Sequence, residues 1–99
     1  MRTGESVVLI LDGDITMGDI GASQLAGRVR RLIQAGHERI VLDVGYVRYV
    51  DSAGLGELVQ CSAAARTRGG TITLLNATHR LTDLLTVTQL LAAFDFTGP

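Results

Sequence analysis

The sequence predicts an α/β domain of order β-α-β-α-β-α, with a mostly parallel central sheet and helices packed mainly on one face. Three short runs, VVLIL at 7–11, IVLDV at 40–44 and TITLL at 71–75, are rich in β-branched residues and nearly continuous in apolar character. That composition reads as strands buried on both faces. The segments between them repeat apolar residues at helical spacing, and glycines follow each of the first two segments. Elements that alternate in this way imply a sheet joined by right-handed crossovers.

Each element has its own signal. In the first helix Leu25, Val29, Leu32 and Ile33 fall at i, i+4, i+7 and i+8, flanked by Arg28, Arg30 and Arg31. QAGHE closes that helix near Gly36. Leu55, Leu58, Val59 and Ala63 form the corresponding face of the second helix. It ends at Gly69 and Gly70 of RTRGG, with arginines near the negative end of the helix dipole. Leu81, Leu84 and Leu85 mark a third helix, and a last strand is expected around Phe94 and Phe96. In sheets of this kind, sites gather where a strand ends and the next helix begins. That rim should carry Asp12, Asp14, Asp43, Asp51, Ser52 and Asn76.

Composition narrows the chemistry. Ninety-nine residues without a repeat, linker or low-complexity tract make one domain. A net charge of −1 creates no overall field to recruit nucleic acid or an anionic membrane. All nine basic residues are arginine, which excludes a Schiff-base lysine and the lysine of a phosphate-binding loop. One cysteine, Cys61, allows no internal disulfide or thiolate cluster, and with only His37 and His79 beside it no structural zinc site is expected. No cofactor is implied. The hydrophobic run before Asp12 is too short for a signal peptide or a membrane span. The chain therefore reads as a reduced, cytoplasmic, soluble domain that makes no direct nucleic-acid contact and does not insert into a membrane.

The stretch VRYVDSAGLG at 47–56 concentrates an acid, a hydroxyl and two glycines at the start of the second helix. Asp51 and Ser52 are both favoured helix caps, a role worth about 1 kcal/mol. Gly54 and Gly56 are not needed for a cap and cost roughly 1 kcal/mol each relative to alanine. Glycine there clears space for another backbone or for a nucleotide phosphate. A hydroxyl exposed at a helix N-terminus is also where a phosphoryl group is best tolerated, because free N–H groups and the dipole face it.

The segment IVLDVGYVRYVDSAGLGELV resembles the signature of the STAS domain, found in bacterial anti-sigma factor antagonists and in sulfate transporter tails. The family pattern is a hydrophobic strand ending in Asp or Asn, a short loop, and Asp-Ser-Ser-Gly-Leu opening a helix. Here these are Asp43, a loop over 44–50, and Asp51, Ser52, Ala53, Gly54 and Leu55. RTRGGTITLLNATHRLTDLLTVTQL is similar to the family's next section, and LDGDIT to its Gly-Glu-Leu-Asp turn. The resemblance implies a single STAS domain over 1–99, with a shortened N-terminal strand and no C-terminal helix. It also implies that Ser52 is phosphorylated by an anti-sigma factor that is itself a serine kinase, and that a separate Ser/Thr phosphatase resets it. The family's second serine is Ala53 here. Its Asp after the early strand falls on Thr16, or on Asp19 if DITMGDIG carries a small insertion. The partner-binding surface implied comprises Asp51, Ala53, Gly54, Leu55, Gly56, Tyr49, Arg48, Asp14 and Thr16. A sheet edge left uncovered by the short ends would permit weak homodimer formation.

Other readings use the same residues differently. STAS domains also serve as non-switching adaptors, as subunits of lipid-transport ABC systems or scaffolds of stress-sensing assemblies. A receiver-like domain would be phosphorylated on Asp43, with Asp12 or Asp14 holding Mg²⁺, but it needs a lysine that the chain lacks. A hydrolase needs a base beside its nucleophile, and no histidine is near Ser52 in sequence. His37 and His79 read as solvated or capping, Cys61 as a small buried apolar residue, and the arginines of the first helix as a solvated face.

Overall fold

The computed structural model describes residues 6–15 and 24–97. The elements are β1 (Ser6–Ile15), α1 (Leu25–Gln34), β2 (Arg39–Val50), α2 (Ser52–Arg66), β3 (Thr71–Leu75) and α3 (His79–Val87). A 3₁₀ turn, Leu91–Ala93, leads into β4 (Asp95–Thr97). The strands form one sheet in the order β1-β2-β3-β4, and every neighbouring pair is parallel. The predicted α/β class and its parallel sheet are what the molecule has.

Sequential strand order decides where the helices go. Each crossover moves one strand further in the same direction, so right-handed connections bring α1, α2 and α3 to a single face. Burial shows the result. Ile40, Leu42, Val44, Ile72 and Leu74 are buried beneath the helices, while Arg39, Val41, Asp43, Thr71, Thr73 and Leu75 between them are exposed or half-buried. The expectation of strands buried on both faces is therefore corrected: Val8 and Ile10 of β1 are 52% and 68% exposed. Apolar runs without alternation concealed an alternating burial.

The core joins Leu25, Val29 and Ile33 of α1 to Leu55, Leu58 and Ala65 of α2, with Leu81 and Leu85 of α3 and Phe94 closing the far end. Fully burying one such leucine contributes about 1.5–3 kcal/mol. In α2 the buried stripe is Gly54, Leu55, Leu58, Cys61, Ser62 and Ala65; Ala63, expected on it, is exposed and Val59 is half-buried. Small residues, Gly54, Cys61, Ser62 and Ala65, complete the stripe beside the two leucines.

Polar contacts tie the layers. Gln24 at the start of α1 has no side-chain cap bond, and the Ala26 N–H donates instead to Glu57 Oε1 of α2 at 3.2 Å. Arg30 donates to Gln60 Oε1 at 3.3 Å, so one arginine of the exposed cluster joins two helices. Ser62, buried, donates to the Ala93 carbonyl at 2.6 Å, and Arg66 donates to the Ala92 carbonyl at 2.8 Å. These two bonds hold the 3₁₀ turn against α2. In α3 the cap is Thr78, whose Oγ1 accepts from the Leu81 N–H at 3.2 Å. The hydroxyls of Thr82, Thr86 and Thr88 each donate to the carbonyl four residues earlier.

β2 is longer than predicted. Residues 44–50, expected as a loop, continue the strand to Val50 because β1 runs alongside as far as Ile15. Two register shifts, between Ile10 and Asp12 and between Gly13 and Asp14, absorb the mismatch, the second beside the positive φ of Gly13.

One-sided burial has a measurable signature. Leu42→Ala should cost about 2–5 kcal/mol in urea unfolding, whereas Ile10→Ala, in the same sheet, should stay within about 1 kcal/mol of the parent. Equal losses at the two positions would contradict the layer arrangement.

Candidate functional site

The stretch 47–56 spans the point where β1 and β2 end together. Ile15 pairs with Val50, and the Ile15 carbonyl accepts from the Asp51 N–H at 3.2 Å. Asp51, with extended backbone, is the N-cap of α2: its Oδ1 accepts from the Gly54 N–H at 2.7 Å and its carbonyl from the Leu55 N–H at 2.8 Å. Gly54 is buried against β1, and a Cβ there would overlap the Ile15 carbonyl. The space that the sequence left open for another backbone or a phosphate is thus filled by a backbone, that of Ile15. Gly56 has open space where its Cβ would be, so packing does not require glycine there.

With Asp51 as the cap, Ser52 is released from that task. It is the first residue of α2, it is exposed, and among the described residues its hydroxyl makes no hydrogen bond. The first N–H groups of a helix have no intrahelical acceptor, so Ser52 sits at the positive end of α2. The Asp51 carboxylate is its immediate neighbour.

The remaining predicted residues divide between surface and support. Arg48 and Tyr49 are exposed, Ala53 and Gly56 are half-buried, and Gly54 and Leu55 are buried. Gly54 and Leu55 consequently support the site from below. Asp14 lies in β1 opposite Tyr49. Thr16 and Asp19 lie outside the described residues. Of the acids expected on the rim, Asp43 is drawn to Asn76: its Oδ1 accepts from the Gly45 N–H at 3.1 Å and from Asn76 Nδ2 at 3.5 Å. Asn76 adopts φ 61°, which turns the chain out of β3. Asp12 is exposed and takes no part in that pair.

A groove that sequence reasoning missed runs beside the helix start. Its volume is about 400 Å³, and it lies between the end of β2 and α3, lined by Val47, Tyr49, Leu81, Leu84 and Val87 with Arg48 and Arg80 among its polar groups. Val87 is 77% exposed and Tyr49 52%. The signal available in the sequence was Val87, three residues beyond Leu84 and so on the same side of α3.

Cys61 is fully buried in α2, as expected. Burial, reinforced by the nearby Glu57 carboxylate and opposed by Arg30, pushes its thiol up to about 12. His79 is exposed, and Thr78 rather than His79 caps α3. His37 departs from expectation: it is half-buried at the opposite end of the sheet, and its Nδ1 is buried with no hydrogen-bond partner among the described residues. Gly36, in a left-handed turn at φ 102°, folds the chain back and carries the imidazole inward. Among the described residues, no helix is long and apolar enough to cross a membrane, and no cluster of His, Cys, Asp or Glu could hold a metal ion.

A family model described as Mlab, STAS domain matches residues 1–92, and the chain belongs to that STAS family. No curated protein matches in sequence. The fold is shared with solved structures. The anti-sigma factor antagonist SpoIIAA in its unphosphorylated form superposes with a TM-score of 0.74 at 18% identity, covering 98% of this chain and 83% of that one. The phosphorylated form of SpoIIAA, from Bacillus, gives 0.74 at 19% identity, covering 100% and 86%. A sulfate transporter family protein from Wolinella succinogenes gives 0.79 at 20% identity, covering 96% and 78%.

The two glycines of the motif should respond oppositely to alanine. Gly54→Ala should destabilise by about 2 kcal/mol or more, since backbone must move, whereas Gly56→Ala should be neutral or stabilising by up to about 1 kcal/mol. Urea midpoints compare them directly. The thiol supplies a second check. Its folded-state pKa is raised from 9.0 to about 12, so the associated stability is complete below pH 9 and declines as pH rises from there toward 12. Native protein at pH 8 should therefore resist thiol reagents, with modification appearing only on unfolding.

Proposed function

We propose that the chain is an anti-sigma factor antagonist that works as a partner switch controlled by phosphorylation of Ser52. One observation carries this reading: Ser52 is exposed at the positive end of α2, with no hydrogen bond from its hydroxyl among the described residues, because Asp51 has taken the cap. SpoIIAA, which shares the fold, is described in both unphosphorylated and phosphorylated forms.

Unphosphorylated, the surface around Ser52 docks onto an anti-sigma factor that is a serine kinase and displaces the sigma factor. Arg48 and Tyr49 face outward beside it, with the apolar groove adjoining. Asp14 and Thr16 belong to the same proposed surface. The kinase transfers the γ-phosphoryl group of ATP to Ser52 Oγ, the hydroxyl proton leaves to the kinase, and ADP departs. The domain supplies the acceptor and the docking surface, and the kinase supplies the catalysis; in this role the domain is a substrate and not an enzyme. The requirement for ATP puts the exchange in the cytoplasm.

The added charge, about −1.5 to −2, lies beside Asp51 and within the docked surface. The free N–H groups of α2 tolerate the phosphate in the separated domain, while repulsion and desolvation oppose it in the complex. A loss of about 2.7 kcal/mol corresponds to a hundredfold weaker complex. Local electrostatics suffices, without a change of fold. A Ser/Thr phosphatase hydrolyses the ester and returns the domain to the binding state.

A second reading is a non-switching adaptor, a subunit of a lipid-transport ABC system or of a stress-sensing scaffold, because membership of a STAS family and likeness to a sulfate transporter family protein are not specific to the switch. The two are separated by one set of variants. With a cognate serine-kinase anti-sigma factor and ATP, mass spectrometry should place the phosphate on Ser52, and Ser52→Ala should abolish it while retaining the complex. Ser52→Asp should weaken the complex roughly a hundredfold. Phosphate on another residue overturns the switch, and equal binding by all three proteins supports the adaptor.

A further inference from the structure

β1 is ten residues long, stands at one end of the strand order and pairs only with β2 among the described residues. Successive residues of a strand turn their N–H and C=O groups to alternate edges. Every second residue of 6–11 therefore offers both groups to the free side. Natural edges are usually blunted by a charge, a proline, a bulge or brevity. Between Ser6 and Leu11 there is no charge and no proline, and the first register shift follows Ile10. β4, at the other end of the sheet, is only three residues long.

The side chains around that edge define which strand fits it. α1 shows Ala26 and Arg30 to α2. Arg28 and Leu32 follow each by two residues, about 200° round the helix, and so point the other way. With Arg31 they overhang β1, lining a cleft of about 270 Å³ together with Leu9. Arg28 and Arg31 are exposed, and their side chains make no hydrogen bond or ion pair among the described residues. On the opposite face of the same edge Val8 and Ile10 are exposed. A strand laid against β1 puts its alternate side chains on these two faces. Acids then lie level with Leu9 beneath the arginines, and apolar residues lie beside Val8 and Ile10.

We propose that the free edge of β1 between Ser6 and Leu11 docks an extended segment of another protein whose side chains alternate between acidic and apolar. Main-chain hydrogen bonds supply the attachment, and the arginines select the sequence. A second copy of the chain is the poorer occupant. Antiparallel pairing of two β1 edges brings both α1 helices onto one layer, with Arg28 and Arg31 set against their own copies. Ser52 opens α2 beyond the far end of β1, where Ile15 meets Asp51. The edge and the Ser52 surface are therefore separate, and the inference does not depend on phosphorylation.

The test titrates the full chain, up to roughly 1 mM, with a capped peptide alternating valine and glutamate and with a valine–lysine control. The valine–glutamate peptide should bind, slow amide exchange within 6–11 and bind more weakly at high salt. The same peptide N-methylated throughout keeps its charges but has no N–H to donate, and should bind at least roughly tenfold more weakly. Arg28→Glu combined with Arg31→Glu should cost a similar factor of roughly ten and transfer binding to the valine–lysine peptide. Circular dichroism confirms that this variant folds, which exposure of both positions favours. Absence of binding across the range overturns the proposal, as does binding indifferent to N-methylation or to the charge swap. Retention on phosphatidylglycerol vesicles without peptide binding overturns it in favour of a membrane surface. A concentration-dependent dimer that excludes the peptide overturns it in favour of a second copy.

Discussion

The approach of the Ile15 carbonyl to the first turn of α2 is the constraint on which the site depends. It receives the Asp51 N–H and leaves no volume for a side chain at Gly54. The start of α2 is thereby held against the end of β1, and the cap bond from Gly54 to Asp51 fixes the backbone between them. Asp51, the residue before Ser52, is held by both bonds, and Ser52 itself is exposed. A hydroxyl on an otherwise unremarkable helix is in this way delivered to the surface by a contact made beneath it.

The second organising fact is the unreversed order of the strands. It gives the molecule a dry layer, made by three helices on one side of the sheet, and a wet layer of mixed character on the other. The rim and the open face are consequently separate surfaces. Ser52 and the groove belong to the rim and the helical layer, whereas Val8 and Ile10 belong to the open side. Polar contacts are concentrated where helices meet: Glu57 on α1, Arg30 on Gln60, and Ser62 and Arg66 on the 3₁₀ turn.

Much of this was legible in the residues. The alternation of β-branched runs with leucine-spaced segments gave the class, and the motif at 51–55 located the helix start. What escaped did so for identifiable reasons. Val7 to Leu11 carries apolar residues on both sides of the strand, so composition did not reveal that one side faces water. VGYVRYV contains Val44, Tyr46, Val47, Tyr49 and Val50, all good strand formers. The resemblance to the family pattern assigned a loop there, and pairing with β1 keeps it extended. Gly54 was recognised as meaningful, but the neighbour that demands it is remote in sequence. The groove was illegible because its two walls, from β2 and α3, are joined only by the fold.

The threonines of α3 give one wall of that groove a particular mechanical character. Hydroxyls of Thr82, Thr86 and Thr88 share carbonyls with the helix's own backbone bonds, an arrangement that loosens and bends a helix. In a nine-residue element with buried anchors at Leu81 and Leu85, it makes α3 the less braced wall of the groove. The β2 wall, by contrast, is held in register by β1. Tolerance and rigidity are thus divided between the two walls of one cleft.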